Sequence, residues 1–104
     1  MEKKGECMNK DLFLDSVQLQ DKPPPAIRTE LQALWWIKKG NWDAAHDLAQ
    51  DANSLEGDWV HAYLHRLEGD SGNAAYWYAR AQKPYFHGDP IEEWERLLDQ
   101  FLVE

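Results

Sequence analysis

The chain holds a single cysteine, Cys7, among 104 residues. One thiol excludes an intramolecular disulfide and any cysteine-rich zinc site. Basic residues are also scarce: 11 Lys and Arg stand against 19 Asp and Glu, a formal net charge of -8. That balance argues against nucleic acid, whose phosphates require a basic partner, and against an anionic membrane surface. A cationic or neutral partner fits an acidic chain better. No apolar run approaches the roughly 20 residues that span a bilayer. The stretch MEKKGECMNK lacks the apolar core of a signal peptide, so a cytoplasmic protein is expected. There is no Gly-x-Gly-x-x-Gly and no phosphate loop. Ser16, Ser54 and Ser71 sit outside any G-x-S-x-G context. With so many carboxylates any catalytic acid pair would be an arbitrary choice, and no cofactor is implied.

What the chain does have is aromatic bulk and helical periodicity. A domain of this length has a thin core, and six Trp, four Tyr and three Phe supply much of the area to fill it. Residues 1–25 read as an N-terminal segment. DLFLDSVQLQ fits a short helix through Leu12, Phe13 and Val17, although Leu12 and Leu14 also fit alternation. The prolines of DKPPPA then form a stiff linker, the last of them suited to the first turn of the next helix. Residues 26–104 read as one all-α domain. Ile27, Leu31, Leu34 and Trp35 place a helix over 26–39, closed by Gly40. Asn41 caps a second helix running to Ala52, and NSLEGD breaks it. Asp58 is expected to cap a third, 59–68, and Asp70 a fourth, 72–82, closed by Pro84. KPYFHGDP reads as a loop. Asp89, Pro90 and Glu92 then read as N-cap, first helical residue and capping-box acid of a last helix. Its apolar stripe is Ile91, Trp94, Leu97, Leu98, Phe101 and Leu102.

Two segments repeat without gaps at an offset of 29 residues: ALWWIKKGNWDAAHDLAQDA (33–52) and AYLHRLEGDSGNAAYWYARA (62–81). Ala33 matches Ala62, Gly40 matches Gly69, Ala45 matches Ala74 and Ala52 matches Ala81. A small residue lets two helices approach, a glycine turns the chain, and two alanines keep one side flat. This is the grammar of a duplicated helix-turn-helix. The spacing small-x6-Gly-x4-Ala-x6-Ala resembles the tetratricopeptide repeat, and NAAYWYARA is similar to its Sel-type relatives. The period is shorter than that family's roughly 34 residues, and the first-helix signature is poorly kept. The resemblance implies two stacked hairpins with a C-terminal capping helix, forming a compact bundle. The block WVHAYLHRLEGDSGNAAYWYARA is also similar to a group of small uncharacterised bacterial and fungal proteins with the pattern W-x-H-A-x-x-H-R-x-E-G-D-x-x-N-A-x-Y-W-Y-x-R. That likeness marks the block and implies no activity.

Within the block His61, His65 and Glu68 share one helix face. Histidines at i and i+4 suit a transition metal, with Glu68 or His46 as a third ligand. Ala62 stands where H-E-x-x-H places its glutamate, so a metalloprotease reading fails. The alternative is two packed imidazoles, each donating to a carbonyl or carboxylate, with Asp70 and Asn73 as nearby partners. Arg66 follows the face of Trp59 and Tyr63. The tetratricopeptide resemblance implies that this face lines a binding groove, where Arg66 would clamp a carboxylate or phosphate. Otherwise Arg66 forms a surface ion pair with Glu68 or Asp70. Trp77 and Tyr78 follow the core stripe of the fourth helix, and Tyr76 lies off it. The first expectation is a non-enzymatic module that binds a protein or peptide near Trp59, Tyr63, Arg66 and Tyr76. The second is a ligand- or metal-binding protein or small enzyme with a pocket at His61, His65, Glu68 and Asn73. Homodimerisation through apolar ends is a third.

Overall fold

A computed structural model describes residues 8–102. Cys7 lies outside the described residues. The described chain forms six α-helices and no strand: α1 Lys10–Leu19, α2 Thr29–Lys39, α3 Trp42–Ala52, α4 Leu55–Leu67, α5 Ser71–Ala81 and α6 Pro90–Leu102. The protein is all-α. None of these helices is long and apolar enough to cross a membrane.

Helices α2 and α3 form one hairpin and α4 and α5 a second. α3 packs on α4, α6 lies across α2 and α4, and α1 rests on α2 and α6. The main core joins Phe13, Leu31, Leu34, Trp35, Leu64, Trp94, Leu97, Leu98 and Phe101. The N-terminal helix therefore contributes to the same core as the rest. Asn9 caps it by accepting from the Leu12 N–H at 2.8 Å, and its other end is closed by Lys39, whose Nζ donates to the carbonyls of Val17 and Gln20. Ser16, buried between the helices, accepts the Trp35 indole N–H at 2.9 Å.

The two hairpin turns share one design. Gly40 (φ 94°) and Gly69 (φ 87°) are both left-handed. In the first turn the N–H groups of Gly40 and Asn41 donate to Ile37 and Trp36; in the second those of Gly69 and Asp70 donate to Arg66 and His65. Both are Schellman closures. The next helix then starts in each case on a capping side chain, Asn41 to the Ala44 N–H and Asp70 to the Asn73 N–H. The same 29-residue offset carries on to Asn53 (φ 50°) and Gln82 (φ 62°), which end α3 and α5 in left-handed backbone without being glycine.

Two helix starts and one capping contact differ from those expected. α2 starts at Thr29 rather than at residue 26, because Arg28 is still extended. Ile27 nevertheless packs against the core, and its carbonyl accepts from Gln32. α4 starts at Leu55 on the Ser54 cap, so Asp58 sits inside the helix and pairs with Arg80 at 3.7 Å. Gly57 is therefore not a breaker. A Cβ there would meet Ala52 Cβ at 2.8 Å and the Ala49 carbonyl at 2.9 Å, so the bare backbone lets α4 lie against α3. In α6, Glu92 pairs along the helix with Arg96 instead of closing a capping box, while Asp89 does accept the Ile91 N–H. Ile91 is 63% exposed and stays off the core stripe.

A Cβ at Gly69 would touch nothing within 4 Å, so Gly69→Ala carries only the backbone cost of the left-handed conformation. It should destabilise by about 1 kcal/mol, while Gln82→Gly should be neutral or stabilise by up to about 1 kcal/mol. Urea denaturation of both variants checks the pair.

Candidate functional site

α4 presents polar side chains on two faces. Toward α6 it carries Trp59, Tyr63 and Arg66. Toward α3 and α5 it carries His61 and His65, one and two turns beyond Gly57. Trp59, Tyr63 and Arg66, one expected group, thus lie on the opposite side of the helix from His61 and His65 of the other.

On the first face the hub is a residue that sequence reasoning passed over. Glu93 of α6 is fully buried. Its carboxylate accepts from Tyr78 Oη at 2.6 Å, Trp59 Nε1 at 3.1 Å and Arg66 Nη1 at 3.1 Å. Burial pushes the Glu93 carboxyl above its ordinary value, against the pull of those three donors. Burial also raises the Tyr63 and Tyr78 phenols, with the nearby Glu93 adding to both. Arg66 does not form the surface pair expected with Glu68 or Asp70. It bonds Glu93 and the Gly88 carbonyl. Tyr63 is buried rather than groove-lining, and its hydroxyl donates to the Pro90 carbonyl at 2.8 Å. One signal for Glu93 was available: it stands four and eight residues before Leu97 and Phe101, on the apolar stripe.

A cleft of about 520 Å³ opens beside this hub, lined by Trp59, Lys83, Phe86, Arg96, Asp99 and the buried Glu93, among others; Asp99 is paired with Lys10 at 3.2 Å. Lys83 lies 4.5 Å from the Trp59 ring centre, and Arg96 lies 5.3 Å from that of Phe86.

On the second face three imidazoles converge. Ring centres lie 4.4 Å apart for His46 and His61, 4.9 Å for His61 and His65, and 5.6 Å for His46 and His65. His46 comes from α3, stacked at 4.8 Å on Trp42, whose indole N–H ties α3 to the Leu64 carbonyl of α4. His61 is stacked at 3.8 Å on Trp77 of α5. One nitrogen from each ring lies within 4.8 Å of the other two. His65 Nδ1 is 2.7 Å from Glu68 Oε2, so Glu68 engages His65. Asn73 does not reach the histidines and instead pairs with Asp70. Tyr76 is exposed, edge-on to Trp77, and within 3.5 Å of Arg80.

His61 is only 4% exposed, and its Nδ1 is buried with no hydrogen-bond partner. Burial is the main cause that holds its pKa down at about 4, with His46, His65 and Arg80 adding repulsion. It is therefore a neutral ring at physiological pH, free to act as an electron-pair donor.

The chain matches no protein-family model, no curated protein and no solved structure. The site stands on its own geometry.

The His61 shift fixes a pH dependence. Unfolded, the ring titrates near 6.5; folded, at about 4. Between these values the unfolded chain binds the extra proton. The contribution is thus fully present above pH 6.5 and is lost as pH falls toward 4, by roughly 2–3 kcal/mol. Urea denaturation in chelating buffer at both ends of that window should show the wild type losing about 2 kcal/mol more than His61→Phe, which keeps a ring against Trp77. Equal losses would remove the shift.

Proposed function

We propose that the protein is a small helical binding module, not an enzyme, that docks a peptide segment of a partner protein in the cleft between α4 and α6. The observation that carries this reading is the cleft itself. It has an aromatic floor of Trp59 and Phe86 and two cations, Lys83 and Arg96, lying over those rings in a chain of net charge -8. Recognition surfaces concentrate aromatic and arginine side chains in this way. The matching ligand is a short segment with an apolar side chain next to a carboxylate. The apolar group would lie on the rings, and the carboxylate would meet Lys83 and draw Arg96 from its exposed partner Glu92.

The matched Schellman turns support descent of the two hairpins from a duplicated, tetratricopeptide-like unit. They lie 29 residues apart and share their hydrogen bonds and caps. The groove in this reading is displaced from the one that resemblance implies. Tyr63 and Arg66 support the cleft from behind, and Trp59 alone of that trio lines it. A cytoplasmic setting belongs to the same reading, supported by the single cysteine.

The test is selection of a displayed random-peptide library on the full chain, followed by measured affinities for wild type and Lys83→Glu/Arg96→Glu. Enriched peptides should pair an acidic residue with an aromatic or aliphatic one and bind the double variant at least tenfold more weakly. Absence of a consensus, or affinities within twofold on the variant, would refute the cleft as the docking site.

A further inference from the structure

The structure assigns a second, separate site: we infer that His46, His61 and His65 form a three-imidazole site for a divalent transition metal of the zinc, copper and nickel class. The site lies on the opposite side of α4 from the cleft and does not depend on the docking reading.

Three observations carry it. The first is convergence from two helices. His61 and His65 stand one turn apart on α4, His46 comes from α3, and one nitrogen of each lies within 4.8 Å of the other two. Nitrogens bound to one tetrahedral ion at about 2.0–2.1 Å stand roughly 3.3 Å apart, so the set must draw together by up to about 1.5 Å on binding.

The second is the orphaned His61 Nδ1. A buried polar atom without a partner is costly and calls for an explanation. The stack on Trp77 supplies neither a donor nor an acceptor to that nitrogen. The third is an outer partner for a ligand. The Glu68 carboxylate, 2.7 Å from His65 Nδ1, fixes the proton on that nitrogen and leaves Nε2 for an ion, as carboxylate–histidine–metal chains do. Glu68 is in this way a positioning residue rather than the third ligand.

The donor set selects the ion. Neutral imidazoles without a thiolate favour zinc, copper or nickel over calcium or magnesium. His46 is only half-buried and marks the side open to solvent. Three protein ligands leave a fourth position for water or an exogenous donor, the arrangement of zinc sites that bind a substrate.

The experiment is titration of chelator-stripped, dialysed full-length protein with Zn²⁺ and separately with Ni²⁺, followed by calorimetry and thermal melting. Expected are one ion per chain and a melting temperature raised by about 10 °C at a hundredfold excess over Kd. His46→Gln, at a half-buried position where the fold tolerates the change, should weaken binding by about a hundredfold or more. His61→Phe should do the same while keeping the stack on Trp77. Glu68→Gln should weaken it about tenfold. His87→Gln, the remaining histidine, should change nothing. Circular dichroism confirms that each variant is folded. Two results would overturn the assignment. One is no saturable binding by the stripped protein. The other is binding that survives His46→Gln and His61→Phe but is lost in Glu68→Gln and Asp70→Asn, which would place the ion on the exposed carboxylates beside His65.

Discussion

A carboxylate with no access to water, that of Glu93, organises much of this molecule. An ionised group in that position is tolerable only when its oxygens are fully engaged. The three donors come from different places: Trp59 and Arg66 from α4, Tyr78 from α5. Together they fix α6 against the second hairpin. The consequences extend into the connection before α6, because Arg66 also holds the Gly88 carbonyl and Tyr63 holds that of Pro90. Phe86 and Lys83 belong to that connection. The cleft exists because Glu93 and its partners keep its wall in place.

The opposite face of α4 follows a different rule. Gly57 removes the side chain that would hold α3 and α4 apart, and Trp42 locks the contact through the Leu64 carbonyl. His46 is thereby brought against His61 and His65. Among the described residues the Glu93 face leaves no buried side-chain nitrogen or oxygen without a partner, whereas this face leaves His61 Nδ1 unsatisfied, at a cost of about 1–3 kcal/mol. One polar cluster contributes specificity to the fold. The other holds an unsatisfied buried nitrogen beside two further imidazoles, and local costs of that kind concentrate at functional sites.

Local chemistry made much of the architecture legible. Gly40, Gly69, Asn41 and Asp70 act within a few residues of themselves, and the structure uses them in the expected turns and caps. The start of α4 is not legible, because Asp58 is as good a capping residue as Ser54 and Gly57 looks like a breaker until the helix it must approach is known. For Arg66 the sequence offers a ligand carboxylate or a local pair with Glu68 or Asp70, while its partner in the structure lies 27 residues away on α6. Glu93 looks solvent-facing in the acidic run EEW, and only its register with Leu97 and Phe101 betrays it. The pairing of His61 with His65 is a helical spacing and could be read directly. The placing of His46 against them depends on the α3–α4 packing, and no spacing in the chain states that distance.

The dependence on Glu93 is tested most directly by a double-mutant cycle between Arg66→Met and Glu93→Gln, followed by urea denaturation. Arg66→Met in the wild type should cost about 3–5 kcal/mol, because it strands a buried carboxylate. With Glu93→Gln already in place, where Tyr78 and Trp59 still have an oxygen to bond, the same change should cost at least 1.5 kcal/mol less. Costs that add to within about 0.5 kcal/mol would contradict the account, and Glu93 would then be one more packed side chain rather than the group that holds α6 in place.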